Sequence, residues 1–140
     1  MPITVNVTQG LLSQQGERDV LPLVADALLR VHGLTDNRFM APNVIGHLVV
    51  SDESKTYVGG KAQSLAVIEV KVPSATFPNA EVKQAFVSEV TDIVDRHKAG
   101  SHPRERTFVN VTFAVDGAWG IGGKAYSNAE LGEAIQRGAN

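Results

Sequence analysis

Residues 58–64 read VGGKAQS, and residues 121–127 read IGGKAYS. Five of the seven positions are identical and a sixth exchanges Val for Ile, at an offset of 63 residues. The same offset aligns other segments. Residues 3–8 fall on residues 66–71, and both alternate apolar and polar side chains as half-buried strands do. The helical stretch 20–31 falls on 83–94. The strand-like stretch 44–50 (VIGHLVV) falls on 107–113 (TFVNVTF). The chain therefore reads as a single domain over 1–140. It is built as an internal repeat of about 2–64 and 65–127, with a tail at 128–140.

Each repeat reads β-α-β followed by a glycine hairpin. The glycines serve tight turns that need positive φ. In the first helix Leu21, Val24, Leu28 and Val31 share a face, and Gly33 is its stop signal. Pro22 conflicts with that helix, because proline removes a hydrogen bond and clashes with the preceding turn. The expectation is a regular helix starting near Asp19, with Pro22 in its first turn, or a kink there. In the second helix Val82, Phe86, Val90, Ile93 and Val94 line one face, and Gly100 is its expected end. Ser127 and Glu130 have capping-box spacing and start a short helix over 128–136. The fold class is α+β: two tandem β-α-β units forming a four-stranded sheet with both helices on one face. The other sheet face is left uncovered, which calls for oligomerisation through it.

Several function classes drop out. Net charge is −2, and no basic stripe suggests a nucleic-acid partner. There is no cysteine, hence no disulfide framework and no thiolate metal site. No apolar run approaches the ~20 residues that span a membrane. No secretory signal is visible, so a cytoplasmic protein is expected. His32, His47, His97 and His102 form no metal-spaced pair, and no G-x-S-x-G nucleophile elbow occurs. The run AWGIGGK fails as a phosphate loop, because Ala118 and Ala125 stand where Gly and Ser or Thr are needed. Gly120, Gly122 and Ala125 match the relaxed dinucleotide fingerprint, but too few residues follow for its helix and strand. Trp119, the single tryptophan, covers core or walls a pocket.

The chain opens MPITVNV. Initiator methionine is usually removed before a residue as small as proline. Pro2 would then carry a free secondary amine. An ordinary α-amine has a pKa of about 7.7–8.0. Burial or a nearby cation disfavours its charged form and brings a neutral base within reach at pH 7. The alternative is that Pro2 simply opens a strand, which proline tolerates.

Pro2 opening a strand, the β-α-β units and the terminal WGIGGK together resemble the tautomerase superfamily. Trp119 to Gly123 is similar to the aromatic-Gly-Ile-Gly-Gly segment of short 4-oxalocrotonate tautomerases. The period of 63 matches one such subunit, so the chain resembles a fused pair. In length it is similar to macrophage migration inhibitory factor-like chains, and Phe108-Val109-Asn110 resembles their aromatic-x-Asn strand. The resemblance implies a homotrimeric, cofactor-independent isomerase with no metal. Pro2 would be the catalytic base, and Phe108, Asn110 and Trp119 would lie near its pocket, across a subunit boundary in some cases. The substrate would be a small keto or enol acid.

The resemblance has departures. The short enzymes place arginines where this chain has Leu11 or Leu12, and Asn110 or, in the first repeat, His47. Asn cannot supply the bidentate anion clamp of Arg. Arg38, Lys71 and Arg106 are the candidate substitutes. The second repeat opens at Leu65, so one base per chain is expected. Two other readings stand beside the tautomerase. A charged prolinium could support hydration, dehalogenation or decarboxylation of a small acid, or the protein could be a non-catalytic trimeric scaffold.

Overall fold

The alternation of residues 2–8 becomes the strand β1 (Pro2–Thr8), with Ile3, Val5 and Val7 buried and Thr4 and Asn6 half-buried. A computed structural model describes residues 1–139. After β1 come α1 (Gln14–Val31), β2 (Ile45–Ser51), β3 (Tyr57–Val58) and β4 (Lys61–Ala62). The second repeat supplies β5 (Ala66–Pro73), α2 (Ala80–His97), β6 (Thr107–Ala114), β7 (Trp119–Ile121) and β8 (Lys124–Tyr126). The chain then enters α3 (Asn128–Arg137). The sheet has four strands in the order β2-β1-β5-β6. The outer pairs are parallel and the central pair, β1 with β5, is antiparallel. The hairpins β3-β4 and β7-β8 stand apart as two-stranded ribbons. Gly59, Gly60, Gly122 and Gly123 turn them with positive φ, which L side chains resist.

Both long helices pack side by side on one sheet face. Ile3, Val5, Val7, Ile68 and Val70 from the sheet meet Val20, Val24, Leu28, Phe86, Val90 and Val94 from the helices. Full burial of a side chain such as Phe86 is worth about 1.5–3 kcal/mol. The opposite face alternates out of register with this core. It exposes Ile45 (57%), Val49 (40%) and Phe108 (45%) among polar neighbours. No helix of the described residues is long and apolar enough to cross a membrane.

The helix boundaries correct two expectations. Helix α1 begins at Gln14 rather than near Asp19, so Pro22 lies well inside it. The cause is tertiary. Ser13 caps the helix by accepting from the Gly16 amide, and the Ser13 amide donates to the His97 carbonyl. A Cβ on Gly16 would meet that carbonyl oxygen at 2.6 Å, so glycine allows the first turn to seat on the end of α2. Pro22 faces outward, where water can serve the Arg18 carbonyl that proline leaves unpaired. Helix α2 ends at His97, not at Gly100. Lys98 turns extended to bridge Leu12, and the Ala99 amide donates to the Leu11 carbonyl. Gly33 does stop α1. With φ of 65°, it donates to Arg30 while Leu34 donates to Leu29, a Schellman pair. The Ser127–Glu130 capping box is complete and opens α3.

Gly46 holds the sheet against α1. A Cβ there would lie 2.7 Å from Leu21 Cδ1 and 2.8 Å from the Ile3 carbonyl oxygen. Gly46→Ala should therefore cost about 1–3 kcal/mol, the usual range for overpacking. Urea denaturation measures this directly, and an unchanged midpoint would contradict the close β1–β2 packing.

Candidate active site

The register of the sheet assembles a row of four residues at one end. Pro2 lies beside Ile45. Ile3 opposes Val70, so the next step along the strands brings Lys71 next to Pro2. Lys71 in turn lies beside Thr112. Neighbouring strands lie ~4.8 Å apart, so Pro2 and Lys71 are within reach of one small molecule. All four residues line one cavity of about 610 Å³. Strand β6 runs toward this end, so the hairpin that follows it folds back here. Ala118, Trp119, Gly120, Ile121 and Gly122 complete the wall.

The cavity is largely apolar, and Lys71 is the only charged side chain among its lining residues. Among the described residues no carboxylate lines it. Trp119 is half-buried against the core, and its indole Nε1 is buried without a hydrogen-bond partner. Among the described residues no group of three His, Asp or Glu side chains could hold a metal ion.

Met1 is folded into this end of the protein. The residue is 5% exposed and joins the core. Its amine donates to the Asn43 carbonyl, and its carbonyl accepts from the Ile45 amide at 3.2 Å. Burial lowers the amine pKa from 8.0 to about 6. Burial therefore favours the neutral form of the Met1 amine.

The other end of the sheet is related by the repeat but differs chemically. Hairpin β3-β4 follows β2 and packs there, with the Thr56 side chain bonded to that of Thr8. The residue that corresponds to Pro2 is Leu65. Its nitrogen is a peptide amide that donates to Thr8 Oγ1 at 2.9 Å. It has no free electron pair to act as a base.

No family model and no curated protein sequence matches the chain. Solved structures do. A wild-type fused 4-OT symmetric trimer matches with a TM-score of 0.76 at 16% identity, over 94% of this chain and 99% of its own. The FG41 malonate semialdehyde decarboxylase, inhibited by 3-bromopropiolate, matches with a TM-score of 0.65 at 20% identity, over 87% and 89%. The macrophage migration inhibitory factor of Toxoplasma gondii matches with a TM-score of 0.68 at 13% identity, over 90% and 100%. The chain has the tautomerase-superfamily fold. At these identities the likeness is one of fold.

On this tautomerase fold the residues singled out from sequence fall into two groups. Pro2 and Trp119 meet at the cavity. Asn110 and Phe108 do not line it in their own chain. They lie two and four residues before Thr112 on β6, ~7 and ~13 Å along the strand. Asn110 lies beside Glu69, in the row that also holds Thr4 and His47. Of the three candidate cations only Lys71 lines the cavity. Arg38 sits in the loop after α1, with its amide bonded to the Gly138 carbonyl, and Arg106 precedes β6 at its far end. Thr112 and Met1 were not singled out from sequence. The alternation of β6 puts Thr112 on the face of Asn110, but only the β1–β5 register brings it to Pro2.

A chain that keeps Met1 has a testable signature. Between about pH 6 and pH 8 the unfolded chain holds more protons on this amine than the folded one. Stability should therefore rise with pH across that window and level off above it. Comparing urea midpoints of the free and N-acetylated chains isolates this group from His102, whose pKa burial also lowers. Identical pH dependence in both would contradict a buried, neutral amine.

Proposed function

We propose that the protein is a cofactor-independent tautomerase acting on a small keto or enol acid, with Pro2, freed of Met1, as its base. The observation that carries this reading is the meeting of Pro2, Lys71 and Trp119 in one apolar cavity. Burial favours a neutral amine at this end of β1, and the ammonium of Lys71 acts in the same direction. Removing Met1 also frees the Ile45 amide, which loses the Met1 carbonyl as acceptor. A donor beside the prolyl nitrogen stabilises its neutral form further.

The reaction balances on one nitrogen. The lone pair of Pro2 takes the proton of the enol hydroxyl. The electrons of that O–H bond form the carbonyl, and the carbon–carbon double bond takes the proton from the prolinium at carbon. Lys71 pairs with the carboxylate of the acid. Trp119 walls the site and excludes water. We further propose a homotrimer. The exposed sheet face with Ile45, Val49 and Phe108 supports it, as does the trimeric state of the fused 4-OT. In such an assembly Asn110 and Phe108 would meet a neighbour's surface and orient substrate from across a subunit boundary.

A second reading keeps the site and charges the nitrogen. The likeness to a malonate semialdehyde decarboxylase favours it. A prolinium would then stabilise developing negative charge during decarboxylation, hydration or dehalogenation.

Intact mass of the untagged protein should lack Met1. Ketonisation of phenylenolpyruvate should fall by about 10²-fold or more in Pro2→Ala, the scale of a general base. Lys71→Met should raise KM by about 10- to 100-fold, the worth of a charged hydrogen bond. Retained Met1, or full activity in Pro2→Ala, would remove proline from the chemistry.

A further inference from the structure

Met1 borders a second cavity, of about 150 Å³, behind the main one. Its walls include Leu34, Met40, Pro73, Leu131, Gly132 and Ile135. Among the described residues Met1 alone lines both cavities. Met1 is thus their shared wall, a partition as buried as the core around it. Removal of Met1, on which the proposed function rests, takes this partition away. The space it leaves is an apolar slot that opens beside the Pro2 nitrogen.

Three polar side chains line the slot, those of His32, Thr76 and Asn128, and two of them are already hydrogen-bonded. His32 Nε2 accepts from the Phe77 amide at 3.3 Å, so its Nδ1 carries the proton and donates to the Leu28 carbonyl at 2.8 Å. The Asn128 side chain donates to Ser74 Oγ at 2.9 Å. Among the described residues no carboxylate, lysine or arginine lines the slot. A charged or strongly polar group would enter it unpaired and at a cost. An apolar chain would replace the contacts that Met1 made. Lys71 and Pro73 lie two residues apart on β5, ~7 Å along the strand. That distance suits an acid whose carboxylate meets Lys71 while its far end enters the slot.

We propose that the Met1 slot is the tail pocket of the mature enzyme, and that its substrate is a 2-oxo acid, or its enol, bearing an unbranched apolar tail about as long as a methionine side chain. The reacting carbon lies between head and tail, beside Pro2. The slot sets specificity by tail length and leaves the proton transfer unchanged.

The test uses a series with the head constant: pyruvate, 2-oxobutanoate, 2-oxohexanoate and 4-methylthio-2-oxobutanoate. The last carries the side chain of methionine itself. Binding is read from the fluorescence of Trp119, the single tryptophan, which lines the main cavity. This readout does not depend on catalysis. Turnover is read separately, as exchange of the C3 hydrogens in deuterium oxide. Affinity should rise about fourfold for each buried methylene and be greatest for the longer tails. The dependence on length should vanish in Gly132→Leu, where a Cβ meets nothing within 4 Å and the added side chain fills the slot. It should vanish too in a chain that keeps Met1, which needs no substitution. Affinity that is flat across the series in mature protein, or a slope that survives in both altered chains, overturns the proposal. A slope in binding without any C3 exchange upholds the slot and rejects Pro2 as the base.

Discussion

Strands β1 and β5 pair antiparallel, with Ile3 opposite Val70, and each carries a parallel partner on its outer side. The rest of the molecule follows from this pairing. It relates the two repeats by an approximate two-fold axis through the sheet. Each glycine hairpin then lands over the start of the other repeat. The second hairpin brings Trp119 to Pro2, and the first brings Thr56 to Leu65 by way of Thr8. Two similar ends result, but one begins at a proline and the other continues a peptide chain. The two units make one scaffold, and chain connectivity leaves the Leu65 nitrogen a peptide amide.

The electrostatics of the Pro2 end follow from its composition. An apolar cavity with one cation and no carboxylate keeps an amine neutral. A substrate carboxylate entering alone would raise the amine pKa and charge the nitrogen. In the proposed reaction Lys71 would offset that effect by pairing with the acid. One side chain would then bind the substrate and preserve the base, which a neutral hydrogen-bond donor could not do.

The repeat was legible in the sequence, because a constant offset aligned strand alternation, helix faces and glycine turns together. So were Gly33 as a stop and Ser127 with Glu130 as a start, since these caps act over three or four residues. The start of α1 was not, because Pro22 is a local rule. The contact of Gly16 with His97, which overrides it, joins residues far apart in the chain. Lys71 could be named as a cation but not located, since its place beside Pro2 depends on the register of two strands more than 60 residues apart. The parallel pairing of β5 with β6 sets Asn110 in the row of Glu69, away from the cavity of its own chain. Met1 left no sequence signal beyond the proline behind it, and its burial is visible only in the fold.

Pro2 is proposed to act as a neutral base in an apolar, cationic site. The most direct measurement is the pH dependence of kcat/KM for enol ketonisation by the untagged protein. A neutral base gives a rise with pH through a single ionisation, below that of a prolyl amine in water, and then a plateau that persists above neutral pH. A kcat/KM that falls as pH rises through that ionisation would contradict it and identify the charged prolinium as the working form.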